Sequence, residues 1–337
     1  MNRKSLIAIS ICASASILLG TLPAVPARAE TKASYLYHLS DFSGTVESLW
    51  ARVSVDPQQG EVYTLNRSDS AIQIFSDTAM QVFGYGENLA LASAQDITSG
   101  DAGDVYLLSS SPVPVVKHLN YRGEQIGSLL ISNLGLDIAF QPDYIDYRAG
   151  NLFLADAQRM RVLVLNNRNE IVTDRDLRQE IAAQIRSTAE GKNLNAARMK
   201  KVKDDLTSLK GAILNGFSAD SRNTIYFTVA PLFTAFRATA DGGLDAFGIP
   251  GGAPGKFGVI AGIAADSEGK IFVSDRLRCV VLIFDPQLNF LTEFGYRGEG
   301  PANLTVPDDI AIDDQSGRIY VAQAANLGVS VFSINND

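Results

Sequence analysis

The 337-residue chain is short of the residues that usually carry cross-links and metal chemistry, with two cysteines, two histidines and one tryptophan. Once the leader described below is set aside, Cys279 is the sole cysteine, so no disulfide can form within the mature chain. It reads as a small apolar strand residue. His38 and His118 stand far apart, and two imidazoles cannot furnish the histidine-rich shell of a catalytic zinc site. Basic charge is scarce too, at 29 Lys and Arg against 37 Asp and Glu. Without the leader's Arg3, Lys4 and Arg28, the mature chain carries about −11, which opposes nucleic acid or an anionic membrane as the main partner. No glycine loop lies between a strand and a helix to cradle phosphate, and there is no Gly-x-Ser-x-Gly elbow. The glycine-rich stretch from Gly248 to Gly255 falls where a connecting loop belongs and reads as turn chemistry.

Residues 1–29 have the form of a cleavable export signal: Arg3 and Lys4, an apolar stretch from Leu6 to Leu22, then Pro26-Ala27-Arg28-Ala29. Cleavage is expected after Ala29. Cys12 follows Ile11, where a lipoprotein signal needs a small residue, so lipidation is not expected. The serines and Gly20 within the stretch argue against a permanent membrane anchor. The mature protein is therefore expected in the periplasm of a bacterium or secreted from it.

A repeat organises the rest. Its clearest copy is Ile263-Ala-Ala-Asp266-Ser-Glu-Gly269-Lys-Ile271-Phe272-Val273-Ser-Asp275, followed by Val280-Val-Leu-Ile-Phe284-Asp285. It returns as Ile310-Ala-Ile-Asp313, Gly317-Arg-Ile319-Tyr320-Val321 and Val329-Ser-Val-Phe332. Weaker copies place the turn residue at Gly60, Gly103, Gly150 and Asn223, so six units recur at a blade-sized period, with one longer gap between Gly150 and Asn223. Each unit reads as a four-stranded antiparallel meander. The strand Tyr35–Leu39 precedes the first unit, and the chain ends after the third strand of the last, so this spare strand would close the ring. The expected fold is an all-β six-bladed propeller over residues 30–337, with a helical hairpin at residues 174–212 between blades three and four.

That hairpin follows from a change of period: Leu177, Ile181 and Ile185 share one face, and Met199, Val202, Leu206, Leu209 and Ile213 follow at spacings of three and four. Thr173 with Asp176 has the form of a capping box, and Gly191 suits a stop between the helices.

Between blades the chain carries Phe247-Gly248, Gly255-Lys-Phe257, Phe294-Gly295-Tyr-Arg-Gly298-Glu-Gly300 and Pro307. In these residues it resembles the NHL-repeat family of β-propellers. The resemblance implies a propeller fold and, most often, a protein-interaction role, without fixing one reaction.

In a four-stranded blade, the loops joining strand two to three and strand four to the next blade emerge on one face. Arg67, Arg159, Arg161, Arg276, Arg278 and Arg297 fall there with the hairpin. They form either a docking surface for a carboxylate-rich partner or polyanion, or pairs with Asp69, Asp156 and Asp275. The acids closing the first strands, Asp56, Asp146, Asp220, Asp266 and Asp313, recur with the repeat and are expected to bond their own turns. Asp96, Asp143, Asp308 and Asp309, with Asn215, lie where first strands enter the channel mouth. They carry the alternative of a calcium-dependent propeller hydrolase or lactonase whose metal is held by Asp96, Asp143, Asn215 and Asp309. The leading expectation is an exported, non-enzymatic, monomeric module that needs no cofactor and binds a protein or other macromolecule.

Overall fold

The computed structural model describes residues 31–41, 44–45, 52–56, 58–66, 71–85, 91–188, 196–324 and 328–336. The expected export signal at 1–29, Arg67, Asp69 and Gly191 lie outside them. Six four-stranded antiparallel sheets form a six-bladed β-propeller. Their inner strands are Arg52–Asp56, Ala94–Ser99, Tyr144–Arg148, Gly216–Ala219, Ile260–Ala265 and Pro307–Asp313, for blades 1 to 6 in chain order. Each inner strand touches the next, and the sixth touches the first, which closes the ring. The outer strand of blade 6 is Thr31–His38, paired antiparallel with Val329–Asn336 at the other end of the chain.

Hydrophobic alternation explains how the blades stack. In blade 5, Ile271 and Val273 face the blade 4 side, whereas Phe272 between them faces blade 6, and the next strand divides Val280 and Leu282 from Val281 and Ile283 in the same way. Middle strands are thus apolar on both faces, as buried strands must be. The core is correspondingly six clusters of buried side chains, one at each blade interface. The turn residues Gly60, Gly103, Gly150, Asn223, Gly269 and Gly317 all adopt positive φ between 61° and 85°, the backbone state that fixes a tight first-to-second-strand reversal and favours Gly or Asn. Close approach of inner strands has its own requirement. A Cβ on Gly216 would sit 2.1 Å from the Ala261 carbonyl oxygen, so blades 4 and 5 can meet only through a glycine.

Polar bonds stitch the same interfaces near the axis. Asp96 accepts from the Ile145 amide, Asp146 from Ala219, and Asp309 from Val53, each crossing to the next blade. Ser99 bonds Val55, Thr228 bonds Ala261, and Ser274 bonds Asp308 across the other three interfaces.

The insertion is two helices, α1 (Leu177–Ser187) and α2 (Ala196–Lys210), between the third and fourth blades, or the fourth and fifth if the sheet holding the N-terminal strand is counted first. It begins later than the sequence pattern suggests. Residues 174–176 complete the outer strand Ile171–Asp176 of blade 3, and Asp176 is itself the cap, accepting from the Gln179 amide at 2.9 Å, so Thr173 takes no part in a capping box. Leu177, Ile181 and Leu209 are buried against blades 3 and 4, with Ile185 packed beside them, whereas Met199 is exposed and Ile213 lies past the end of α2. One side chain clasps the hairpin: the Arg178 guanidinium donates to the carbonyls of Leu209, Lys210, Ala212 and Gln158. It satisfies carbonyls that the end of α2 leaves open and ties them to the blade 3 loop.

Candidate functional site

The ring has two unlike faces. Second-to-third-strand and inter-blade loops form the loop face, and first-to-second and third-to-fourth-strand turns form the turn face.

The arginines expected to form a basic patch on the loop face are largely neutralised within the chain. Arg159 pairs with Asp156 at 3.0 Å, Arg161 makes a forked pair with Asp174, Arg276 contacts Asp308, and Arg278 makes a forked pair with Glu293. The partners are mostly not those nearest in sequence. Asp275 spends its carboxylate on the amides of Gly258, Val259, Leu277 and Arg278, and so pins two loops together. Arg297 is exposed.

The channel-mouth acids do not converge as a group. Asp143 turns an oxygen to the Ala157 amide and Asn215 turns its own to the Ala230 amide, each at 2.8 Å, so both clasp the end of the second strand of their own blades. Asp96 and Asp309 do meet, around a cation of the chain. The Arg52 guanidinium lies 3.8 Å from Asp96 and 3.9 Å from Asp309, with its carbon 5.0 Å from the centre of the Tyr144 ring. Among the described residues, no group of three or more His, Cys, Asp or Glu side chains is arranged to hold a metal ion.

Electrostatics follow from the burial of this cluster. Loss of water pushes the Asp96 carboxyl up to about 7, against the opposing pull of Arg52, and Asp309 adds to the rise. Asp309 is raised as well, by burial first. Burial also disfavours the Arg52 charge, but Asp309 and Asp96 outweigh it and hold the proton more firmly. Sequence reasoning passed over Arg52; its signal is a charged residue opening an inner strand whose neighbours open with acids.

From the level of Asp96, Tyr144 and Asp309, a cavity of about 450 Å³ runs along the axis to the turn face, where Gln58, Asp101, Arg222 and Asp314 line it. Neither histidine lines it. His38 bonds Tyr35 and Ser330 on the rim of blade 6, and His118 bonds Asp104 at 2.7 Å while stacked on Tyr106.

Apolar side chains mark the loop face. Leu277 is 70% exposed, Ile249 60%, Tyr296 50% and Val259 41%. They stand on three neighbouring loops: the Arg276 amide donates to the Val259 carbonyl and the Arg278 guanidinium to the Lys256 carbonyl between two of them, while the amides of Phe257 and Leu304 brace their own loops by donating to the Ile249 and Tyr296 carbonyls. Phe233, Val113 and Ile138 are exposed on other loops of this face, whereas the described turns of the opposite face expose only Met80 and Tyr121 among large apolar residues. Leu277 between two arginines and Ile249 beside Gly248 and Pro250 are apolar residues inside loops, which is the sequence signal for them.

A family model described as a 6-bladed beta-propeller matches residues 257–335. No curated protein matches the chain. Among solved structures, a protein of unknown function from Bacteroides thetaiotaomicron is similar over 91% of this chain and 77% of its own, at 12% identity and a TM-score of 0.61. Streptogramin B lyase is similar over 90% and 98%, at 12% identity and a TM-score of 0.57. A catalytically inactive histidine-to-alanine variant of virginiamycin B lyase from Staphylococcus aureus, with quinupristin, is similar over 90% and 99%, at 12% identity and a TM-score of 0.55. At such identities the likeness is one of fold. The family match and the six closed blades together make the chain a six-bladed β-propeller.

Proposed function

We propose that this is an exported, NHL-type propeller that works as a non-enzymatic binding module and grips a protein partner with its loop face. The observation that carries the reading is the exposure of Ile249, Val259, Leu277 and Tyr296 together on loops that are otherwise firmly tied. Large apolar side chains held in water by a rigid support, and grouped on one face, are what a protein interface uses as anchors. The forked Arg278–Glu293 pair stiffens the same ground, since Arg278 also donates to the Lys256 carbonyl and Glu293 accepts from the Gly255 amide. A carboxylate-rich partner recognised by arginine is less well supported, because Arg159, Arg161, Arg276 and Arg278 already hold carboxylates within the chain.

The reading is tested by placing a photo-crosslinking amino acid at Leu277 and, separately, at Tyr121 on the turn face, in the protein expressed in its own host. A defined protein adduct from position 277 and none from position 121 is expected. Equal labelling from both, or none from 277, would remove the loop face as the contact surface.

A further inference from the structure

The helical insertion leaves a second cavity, away from the axis. A trough of about 550 Å³ runs between α1, α2 and the third strand of blade 4, Thr234–Ala238. Its floor is apolar, made by Ile181 and Ile185 of α1, Val202 of α2, and Leu232 and Phe236 of blade 4. Ile181 and Phe236 belong to the core, whereas Ile185, Val202 and Leu232 are only half-buried. The way α2 is held explains the gap. Its C-terminal end is seated by Leu209 and the Arg178 clasp, but from Ala196 to Asp204 only Val202 is drawn inward. The α1 wall runs from Ile181 to Thr188, so the trough is about 10 Å long. The propeller repeat does not account for it, because among the described residues α-helices are inserted at this blade junction alone.

The rim has the opposite chemistry. Arg198, Lys201 and Asp205 are the charged side chains that line the trough, with Lys201 bonded to Asp205 at 2.8 Å, so one positive charge is in excess. The rest of α2 strengthens that sign. Arg198, Lys200, Lys201, Lys203 and Lys210 stand against Asp204 and Asp205, a formal +3 on a chain whose formal charge is −8. Gln184, Thr188 and Thr234 add uncharged polar groups. An apolar slot of this volume with a cationic edge is complementary to a molecule with an apolar tail and an anionic head. A small polar anion would gain nothing from the floor, and a neutral apolar molecule would gain nothing from α2.

We propose that the trough binds an alkyl carboxylate of medium chain length, its tail along Ile185, Val202 and Phe236 and its carboxylate beside Arg198 and Lys201. The tail supplies most of the affinity, at about fourfold for each methylene removed from water. The two cations set the direction in which the chain lies. The site is separate from the apolar ground of the loop face, since Ile249, Val259, Leu277 and Tyr296 do not line it.

Isothermal titration of the purified protein with decanoate tests this. A single saturable site is expected. Octanoate, two methylenes shorter, should bind about fifteenfold more weakly. Decyltrimethylammonium, with the same tail and the opposite charge, should bind at least about tenfold more weakly than decanoate. Val202→Glu puts a carboxylate into the floor and is expected to weaken decanoate by at least about thirtyfold. Arg198→Gln combined with Lys201→Gln leaves Asp205 as the one charged side chain lining the trough, and should weaken decanoate about tenfold without unfolding the protein, because both cations are exposed. No decanoate binding at millimolar concentration would overturn the proposal, as would equal affinities for decanoate and decyltrimethylammonium, or for decanoate and octanoate. Tighter binding of decyl phosphate than of decanoate would overturn the carboxylate in favour of a phospholipid headgroup. If Val202→Glu does not fold, the double glutamine variant decides, and an unchanged affinity there rejects the trough. None of these substitutions touches the loop-face anchors, so failure here and failure of partner binding there are read separately.

Discussion

The loop face and the turn face are built from the same repeat, yet they meet water with opposite chemistry. On the loop face most of the described charges are internally paired, Arg52 sits between Asp96 and Asp309, and apolar side chains are left standing out. On the described turns of the other face large apolar residues, Met80 and Tyr121 apart, are withdrawn into the blades, and an acidic cavity is open. The difference arises from what each connection must do. First-to-second-strand turns are short and fixed by a positive φ and an acid bonded to its own backbone, which leaves little freedom for anything else. Loop-face connections vary in length and carry the helical insertion, so side chains there are free to serve a partner.

The sharpest way to break this contrast is to remove the charge of Arg52. Arg52→Met leaves the buried Asp96 and the half-buried Asp309 without their cation and is expected to cost about 3 kcal/mol at pH 8, read by urea denaturation. The sign with pH is informative. In the intact protein Asp96 is pushed up to about 7 and Asp309 is raised, so the folded state binds protons that the unfolded chain releases near its ordinary carboxylate pKa. Stability therefore falls as pH rises from the ordinary carboxylate range through about 7. In Arg52→Met that fall is expected to steepen, and at pH 5 the variant should recover much of its loss. A loss independent of pH would mean that Arg52 acts by packing on Tyr144 alone.

Next in size is the apolar ground itself. Ile249→Asp, Leu277→Asp and Tyr296→Asp combined are expected to weaken partner binding by at least about a hundredfold, given anchors worth about 2 kcal/mol each. All three side chains are at least half exposed, so the change in folding stability should stay within about 1 kcal/mol. Loss of binding with a matching loss of stability would reduce the effect to unfolding.

Much of the architecture was legible in the sequence because the repeat has to satisfy backbone geometry six times over. Turn residues at fixed spacing need positive φ, and middle strands need apolar residues on both faces, so register, blade number and the place of the insertion could all be read before any coordinate. The site was far less legible. Which acid meets which cation depends on neighbouring blades, and the bonds that matter here are long in sequence: Val53 to Asp309, Ala219 to Asp146, Arg276 to Asp308. Spacing along the chain placed the carboxylates at the channel mouth but could not tell that Asp143 and Asn215 turn back to their own blades while Asp96 and Asp309 enclose Arg52.

The insertion offers a milder test of how far the loop face is one rigid unit. Arg178→Ala removes bonds to four carbonyls and is expected to cost about 2 kcal/mol, confined to α1, α2 and the loop at Gln158. Hydrogen exchange should rise in the helices and stay unchanged in blades 5 and 6. If exchange also rose around Leu277, the helices would be supporting the apolar ground and not merely flanking it.

The smallest expected effect belongs to Arg297, the exposed member of the arginine set. It stands in the same inter-blade loop as Tyr296, so reversing its charge perturbs the electrostatics of the apolar ground without removing any contact area from it. Arg297→Glu is expected to change folding stability by less than about 0.5 kcal/mol and partner affinity by no more than about threefold, mostly through the rate of association and most visibly at low salt. Surface plasmon resonance at two salt concentrations separates these terms. Should Arg297→Glu weaken binding as much as the triple aspartate variant, the loop face would be reading charge after all, and the apolar side chains around it would be rim and not centre.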